Sequence, residues 1–461
     1  MNKRIKRGFL GICCLLFVIL AAGCGLIERE IVQDPNVLDS QQYLPETVYV
    51  GAVLPLSDAT AGAAASYAAA AHEVALDIIN QSHPLDWELA AANGIPGYGA
   101  AALELVQRDS GSGNSASPRP TSIVAGEAAA ELAELGVVSL SGALLPADTW
   151  AVAGEAAEAA LPLISGAGLP YQYLSALSSQ TASVTTTPAA GQTAGGTAAS
   201  TRQPELDWLF CVMPTPDMQS ELFFTYLRPL NQTENAGIEQ IAFIYEDTAY
   251  GRAVLASFDA AAAHADFTVA ARVSYSPNTT NVAEEVQRIM TAGADALFHA
   301  GTSDDLLLFA KTYADAQFTP AAAVAYGDPI RSNEFRTTMR EREIDYWSCY
   351  SLTPLPFESE AAASSPELTE YQYINDLYRE RTGRDLDNDA VCEFAALAVL
   401  AQAVSAAGST EAEALVAVLR DTAFAAPYLA GGSIDFDENG RNTVGGCVAR
   451  LVEGELLLAY R

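Results

Sequence analysis

The chain has 461 residues, 50% of them hydrophobic, with 57 acidic against 24 basic residues and a formal net charge of −33. That length fits two or three folded units, and the acidic balance excludes nucleic acid as a partner, because phosphates require a basic surface. Cys211, Cys349, Cys392 and Cys447 are widely spaced and His72, His83, His264 and His299 are scattered, so no metal site and no cofactor is expected.

The first residues read "MNKRIKRGFLGICCLLFVILAAGC". Lys3, Arg4, Lys6 and Arg7 form a basic region, Phe9 to Ala22 an apolar run, and small residues precede Cys24. This is the layout of a secretory signal peptide, and the apolar run is short of the ~20 residues that span a bilayer. "LAAGC" resembles the bacterial lipobox, which makes Cys24 the expected lipidated N-terminus after removal of residues 1–23, with 24–46 as a tether. The processed chain would hold 438 residues with net charge −37 and Lys311 as its only lysine. A salt-rich habitat and simple codon bias both account for that acidic, lysine-poor composition.

The mature region then alternates strand and helix. "TVYVGAVLPL" reads as a strand, "AGAAASYAAAAHEVALDIIN" as a long helix of strong helix formers, "AALELVQRD" as a strand, and "SPRPTSIVAGEAAAELAEL" contains a helix. "GVVSLSG", helix "ADTWAVAGEAAEAA" and strand "LPLISGAG" complete the first series. Residues 175–205, rich in Ser, Thr, Ala and Gly and almost uncharged, cannot bury a face and are expected to be a flexible insertion; "DSGSGNSASPRP" is a smaller loop of the same type. A second series starts with the helix in "PDMQSELFFTYLRPL". It runs through "IEQIAFIYE", helix "AYGRAVLASFDAAAAHA", "FTVAARVSYS", helix "NVAEEVQRIMTAG", "ADALFHAG", helix "SDDLLLFAKTYADA" and "AAAVAYGD". Repeated β-α units with short apolar strands imply parallel sheets covered by helices. "YWSCYSL" is strand-like, "PELTEYQYINDLYRERTG", "NDAVCEFAALAVLAQAVSAAG" and "TEAEALVAVLRDT" are helical, and "GGSIDFDENGRNTVGGCVARLVEGELLLAY" reads as short strands with a hairpin around "DENG".

Four motifs in order, "VYVGAVLPLSDATAG…ALDIIN", "IAFIYEDTAYGRAV", "ADALFHAGTSDD" and "GGSIDFDENG", resemble the type I periplasmic solute-binding proteins, nearest the leucine/isoleucine/valine-binding branch that feeds ABC importers. The resemblance implies an α/β fold of two doubly wound parallel-sheet lobes joined by three crossovers, near residues 210–216, 347–353 and 430–434. Lobe 1 would be 47–214 with its return 354–430, and lobe 2 would be 215–353 with its return 431–461. The solute would lie between the lobes, at the carboxyl ends of the strands, and hinge closure would trap it.

The resemblance also places the site. The loop that offers a hydroxyl to the ligand carboxylate in amino-acid-binding members has Pro146 here, and the next loop has Ala167, Gly168 and Leu169, where Leu169 replaces a threonine. Backbone N–H groups of that loop remain available to an anion. An aromatic wall common in the first loop is reduced to Ala63. In lobe 2, Tyr250 matches the tyrosine that faces the ligand at the head of a helix, Asp328 falls near the acidic partner of an amino-acid ammonium, and Thr302 and His299 end a strand that points at the crevice. Asp328 before Pro329 also reads as a helix cap, and His299 as a satisfied strand-end histidine. Each lost hydroxyl removes roughly 0.5–1.5 kcal/mol, which changes a ligand as readily as it disables a site.

The function implied is a lipid-anchored, exported receptor for an ABC importer. It would be a monomer, bind an amino acid or related small polar metabolite, and touch permease subunits and, through its lipid, the membrane. The alternative is a regulatory lipoprotein of the same fold, of the cell-wall synthase activator type, with a degenerate solute site. Enzyme chemistry is not expected: "ISGAG" and "SGSGNS" lack the spacing of a nucleophile elbow, and "GAG" lacks the dinucleotide fingerprint.

Overall fold

A computed structural model describes residues 46–59, 61–111, 119–167, 169, 207–356 and 366–461. The expected signal peptide, Cys24, the whole insertion at 175–205, and Gly168 lie outside the described residues.

Two sheets organise the chain. The first joins β1 (Thr47–Leu54), β2 (Ala102–Asp109), β3 (Leu140–Gly142), β4 (Leu163–Ser165) and β5 (Leu209–Cys211) in the order β2-β1-β3-β4-β5, all parallel. The second contains β6 (Gln240–Glu246), β7 (Thr268–Tyr275), β8 (Ala296–Ala300), β9 (Ala322–Ala325) and β10 (Trp347–Ser351). Its order, β7-β6-β8-β9-β10, repeats the first. Beyond β10 it adds an antiparallel hairpin, β13 (Cys447–Val452) and β14 (Glu455–Tyr460). A separate ribbon pairs β11 (Phe424–Ala425) with β12 (Ser433–Ile434). The chain is therefore α/β with two parallel sheets, as the strand-helix alternation predicts.

Helices α1 (Gly62–Asn80), α2 (Thr121–Glu134), α3 (Pro146–Glu158), α4 (Pro216–Thr233), α5 (Ala249–Ala262), α6 (Ala283–Ala292), α7 (Ser303–Asp315) and α8 (Asn333–Glu341) connect the strands. Then follow α9 (Pro366–Thr382), α10 (Asn388–Ala407) and α11 (Ala412–Asp421). Alanine on buried positions of α1 (Ala65, Ala68, Ala71, Ala75) lets α10 pack closely on it. Helix α10 is apolar and long enough to cross a membrane, yet it is mostly buried and packs on α1, β3 and β4. It is a core helix, begun by the Asp387 side chain, which accepts the Ala390 N–H, and stopped by Gly408 at φ 57°. Under the second sheet, Phe223, Phe224, Phe243, Phe258 and Phe298 make tilted and edge-on contacts, a geometry that aromatic quadrupoles favour.

The segments between the sheets touch one another. Ala430 N–H donates to Leu352 O at 2.7 Å. Asn442 donates from its backbone to Cys211 O at 3.1 Å and from its amide to Val212 O at 2.9 Å. The "DENG" turn does form, with Asp437 Oδ1 accepting the N–H groups of Asn439 and Arg441, but only a single bridge, Phe436↔Asn442, flanks it. The full hairpin turns instead at Glu453 and Gly454, both at positive φ (52° and 86°), the backbone of a tight two-residue reversal. Cys211, Cys349, Cys392 and Cys447 are buried free thiols.

Candidate functional site

In a sheet of order 2-1-3-4-5 the first strand runs to one side and the rest to the other, which opens a crevice at the carboxyl ends of the two strands at the reversal. In the second sheet those strands are β6 and β8. β6 ends at Glu246, and the chain turns through Asp247 into Thr248, whose hydroxyl accepts the Gly251 N–H at 3.0 Å and starts α5. A Cβ at Gly251 would lie 2.0 Å from Glu246 O, so only glycine lets the helix begin this close to the strand. Tyr250 projects from that first turn and keeps 37% of its surface exposed.

β8 ends at Ala300, followed by Gly301 and Thr302. Thr302 caps α7: its hydroxyl accepts the Asp305 N–H and donates to Asp305 Oδ2 at 2.8 Å, while Thr302 N–H donates to the same carboxylate. Tyr275 O–H donates to Asp305 Oδ2 at 3.1 Å. After β9, the Tyr326 hydroxyl meets Ser220 Oγ at 2.6 Å, and Gly327, at φ 65°, donates its N–H to Gln219 Oε1. Gln219, Glu246, Thr248, Tyr250, Thr302 and Tyr326 border a cavity of about 260 Å³ with Met213 and, from the first turn of α10, Asp389. None of its lining residues is basic. Burial first, then the Asp305 charge, raises the Glu246 carboxyl above its ordinary value. Asp389 keeps access to solvent, but its enclosed position and the charges of Asp387, Asp328 and Glu393 also raise it.

The cavity brings Tyr250 and Thr302 together, and the other expected residues that the structure describes sit elsewhere. Asp328 is fastened: one oxygen accepts Arg331 Nε–H at 3.0 Å and Asn388 N–H at 2.8 Å. Arg331 in turn donates to Ser351 Oγ and Thr353 Oγ1. The group lines a neighbouring cavity of about 190 Å³ and joins β9's end to the start of α10. His299 is a core residue: it is 1% exposed, its Nε2 meets the Tyr313 hydroxyl at 3.0 Å, and burial lowers its pKa to about 3.

The loops of the first sheet turn their polar groups inward. Pro146 opens α3. The Thr149 hydroxyl donates to Ala143 O and Leu145 O. Ser165 Oγ donates to Gly142 O and accepts Ala167 N–H at 3.2 Å. Leu169 is 1% exposed in the core.

Three acids on this side escaped the sequence reading. Asp148, on the first turn of α3, is fully buried, with Oδ1 accepting Thr121 O–H and Oδ2 unpartnered. Burial first, with the charge of Asp58 adding to it, pushes its pKa up to about 6, against the lowering effect of the Thr121 hydrogen bond. Glu393 is buried on α10, its Oε2 3.0 Å from His72 Nε2 and its Oε1 unpartnered. Asp389 sits one turn earlier. Asp389 and Glu393 are the only charged residues of α10, a signal the sequence did contain. Among the described residues no group of His, Cys, Asp and Glu is arranged to hold a metal ion.

Comparison with known proteins accords with this architecture. Among solved structures, LivJ from Streptococcus pneumoniae, a branched-chain amino acid transporter substrate-binding protein in complex with isoleucine, superposes with TM-score 0.61 at 15% identity, covering 89% of this chain and 97% of that one. An ABC transporter solute-binding protein from Rhodopseudomonas palustris, in complex with 3,4-dihydroxybenzoic acid, gives 0.62 at 15% identity, covering 90% and 99%. An ABC transporter substrate-binding protein from Sphaerobacter thermophilus gives 0.63 at 19% identity, covering 90% and 97%. No curated protein sequence matches significantly. The sequence profile described as "Periplasmic binding protein" matches residues 47–455, nearly the whole chain, and so the chain belongs to the periplasmic binding protein family, a family of binders and not of enzymes.

Proposed function

We propose that the chain is a lipid-anchored, extracytoplasmic receptor of an ABC importer that captures an amino acid or a related small polar metabolite. The observation that carries this reading is the cavity at the β6/β8 reversal, where Tyr250, Thr302 and Glu246 of the second sheet meet Asp389 of α10. Segments 47–214 and 354–430 would act as one lobe, and 215–353 and 431–461 as the other. Closure about the crossovers would bury the solute and present both lobes to permease subunits, and the bound state would need no covalent chemistry. Lipid on Cys24 would keep a monomeric receptor at the membrane. Ligands held by the neighbours named above support the size class, and the cavity volume lies near the lower end of small-molecule sites.

Mass spectrometry of solute co-purified with native protein, followed by a thermal-shift screen of amino acids, amides and amines, tests the reading. A stable protein that carries and answers to no small molecule would sink it. Tyr250→Ala is expected to weaken the identified solute about tenfold, ~1.4 kcal/mol, with little change in stability, because the ring is partly exposed. The inward-turned hydroxyls of Thr149 and Ser165 favour a second reading, an interaction lipoprotein that kept the fold and lost the solute. Pull-down with and without residues 175–205 separates it from the first.

A further inference from the structure

Building on the receptor reading, we propose that the cleft selects an organic amine that carries no carboxylate, with its ammonium held between Glu246 and Asp389 and its carbon body against Tyr250. The cavity they share has two carboxylates, aromatic surface from Tyr250 and Tyr326, and no basic residue among its lining. Neither Glu246 nor Asp389 forms an ion pair or side-chain hydrogen bond among the described residues. Each carboxyl has its proton affinity raised by burial and by other acids near it, Asp305 for Glu246 and Asp387, Asp328 and Glu393 for Asp389, and a cation in the cavity relieves that cost. A tyrosine face adds attraction for the same charge.

The loops after β3 and β4, which the receptor reading places across the cleft, argue against a carboxylate. An amino-acid site needs donors for two carboxylate oxygens, and two groups of the loops that would supply them are already engaged. Ala167 N–H is taken by Ser165 Oγ, and the Thr149 hydroxyl by Ala143 O. The N-terminus of α3, which would welcome an anion, already contains Asp148 in its first turn, buried and with Oδ2 unpartnered. Behind the β4 loop, Glu393 Oε1 is buried without a donor and so close to Gly166 that a Cβ there would sit 2.4 Å away. Both orphan atoms are buried acceptors, not donors. The arginines beside the neighbouring cavity are committed: Arg331 to Asp328, Arg336 to Glu455, Arg379 to Asp385 and Arg384 to Asp387 and the Tyr67 ring.

Isothermal titration of the purified protein against matched sets tests the proposal. One set is leucine, 3-methylbutylamine and 4-methylpentanoate; the others are arginine with agmatine and ornithine with putrescine. The expected result is that at least one amine binds, at least about tenfold tighter than its amino acid, with the acid silent. Glu246→Gln and Asp389→Asn should each weaken that amine at least about tenfold with unchanged circular dichroism. An amino acid that binds as well as its amine, a co-purified solute without an amine, or both variants at wild-type affinity overturns the proposal and leaves the receptor reading standing. No binding by any member overturns the proposal, and if native protein also carries no solute the receptor reading falls with it.

Discussion

Asp148 shows how a single buried group couples folding to pH. Its carboxyl titrates near pH 6 in the fold against an ordinary value of 3.8. Between those values the folded state holds the proton more tightly than the unfolded chain, so this contribution to stability is complete below about pH 4 and is lost as pH rises through 6. Asp148→Asn is therefore expected to stabilise the protein at pH 8 by about 1–3 kcal/mol, because Thr121 can still donate to the remaining oxygen. The gain should vanish near pH 4. Urea unfolding at the two pH values checks it, and an equal effect at both would refute the titration argument. His299 acts with the opposite sign: held near 3 by burial, it lets the unfolded chain take up the proton first as pH falls below 6.5, and stability drops. At this scale the sequence was half legible. Tyr250 could be placed because its motif fixes a helix start beyond a strand. Asp328, an acid before Pro329, gave no sign that Arg331, three residues on, would pair with it or that the backbone of Asn388, 60 positions away, would consume the same oxygen.

The junction between β6 and α5 is the element on which the site depends. Gly251 lets α5 begin against the strand end, and Glu246 and Tyr250 reach the cavity from either side of that contact. Gly251→Ala would drive a methyl into a carbonyl oxygen at 2.0 Å, and a backbone atom cannot rotate away. We expect a loss of about 1–3 kcal/mol in denaturant unfolding, together with weaker solute binding because the first turn of α5 must move. Unchanged stability would show that the turn relaxes freely. Helices and strands of this kind were readable from Ala-rich runs, capping residues and apolar stretches. The C-terminal hairpin was placed one turn too early, for a tertiary reason. Asn442 spends its amide on Asp435, Val444 and the Val212 carbonyl, so the residues after "DENG" dock on a crossover instead of zippering. The reversal passes to "VEGE", where Glu453 accepts the left-handed conformation.

Across the whole molecule, repetition was the strongest signal: two β-α series give two sheets of the same strand order, and an apolar helix that passes for a membrane span is consumed by the core between α1 and the first sheet. Charge is the property that remains to be tested at this scale. The chain holds 57 acidic residues against 24 basic ones, so even if every basic residue paired, more than half of the acids would stay uncompensated. Salt acts on both populations. It weakens exposed pairs such as Arg119–Glu127, Arg252–Asp247 and Arg272–Asp259, which contribute little in any case because solvent already screens them. It also screens repulsion that reaches across the surface, with a Debye length falling from about 10 Å at 0.1 M to about 3 Å at 1 M. The repulsive population is larger and its separations are longer, so screening should remove more repulsion than attraction. Calorimetry in a sodium chloride series from about 0.05 to 1 M is expected to show Tm rising by several degrees. A falling Tm would mean that the arginine pairs outweigh the excess acids.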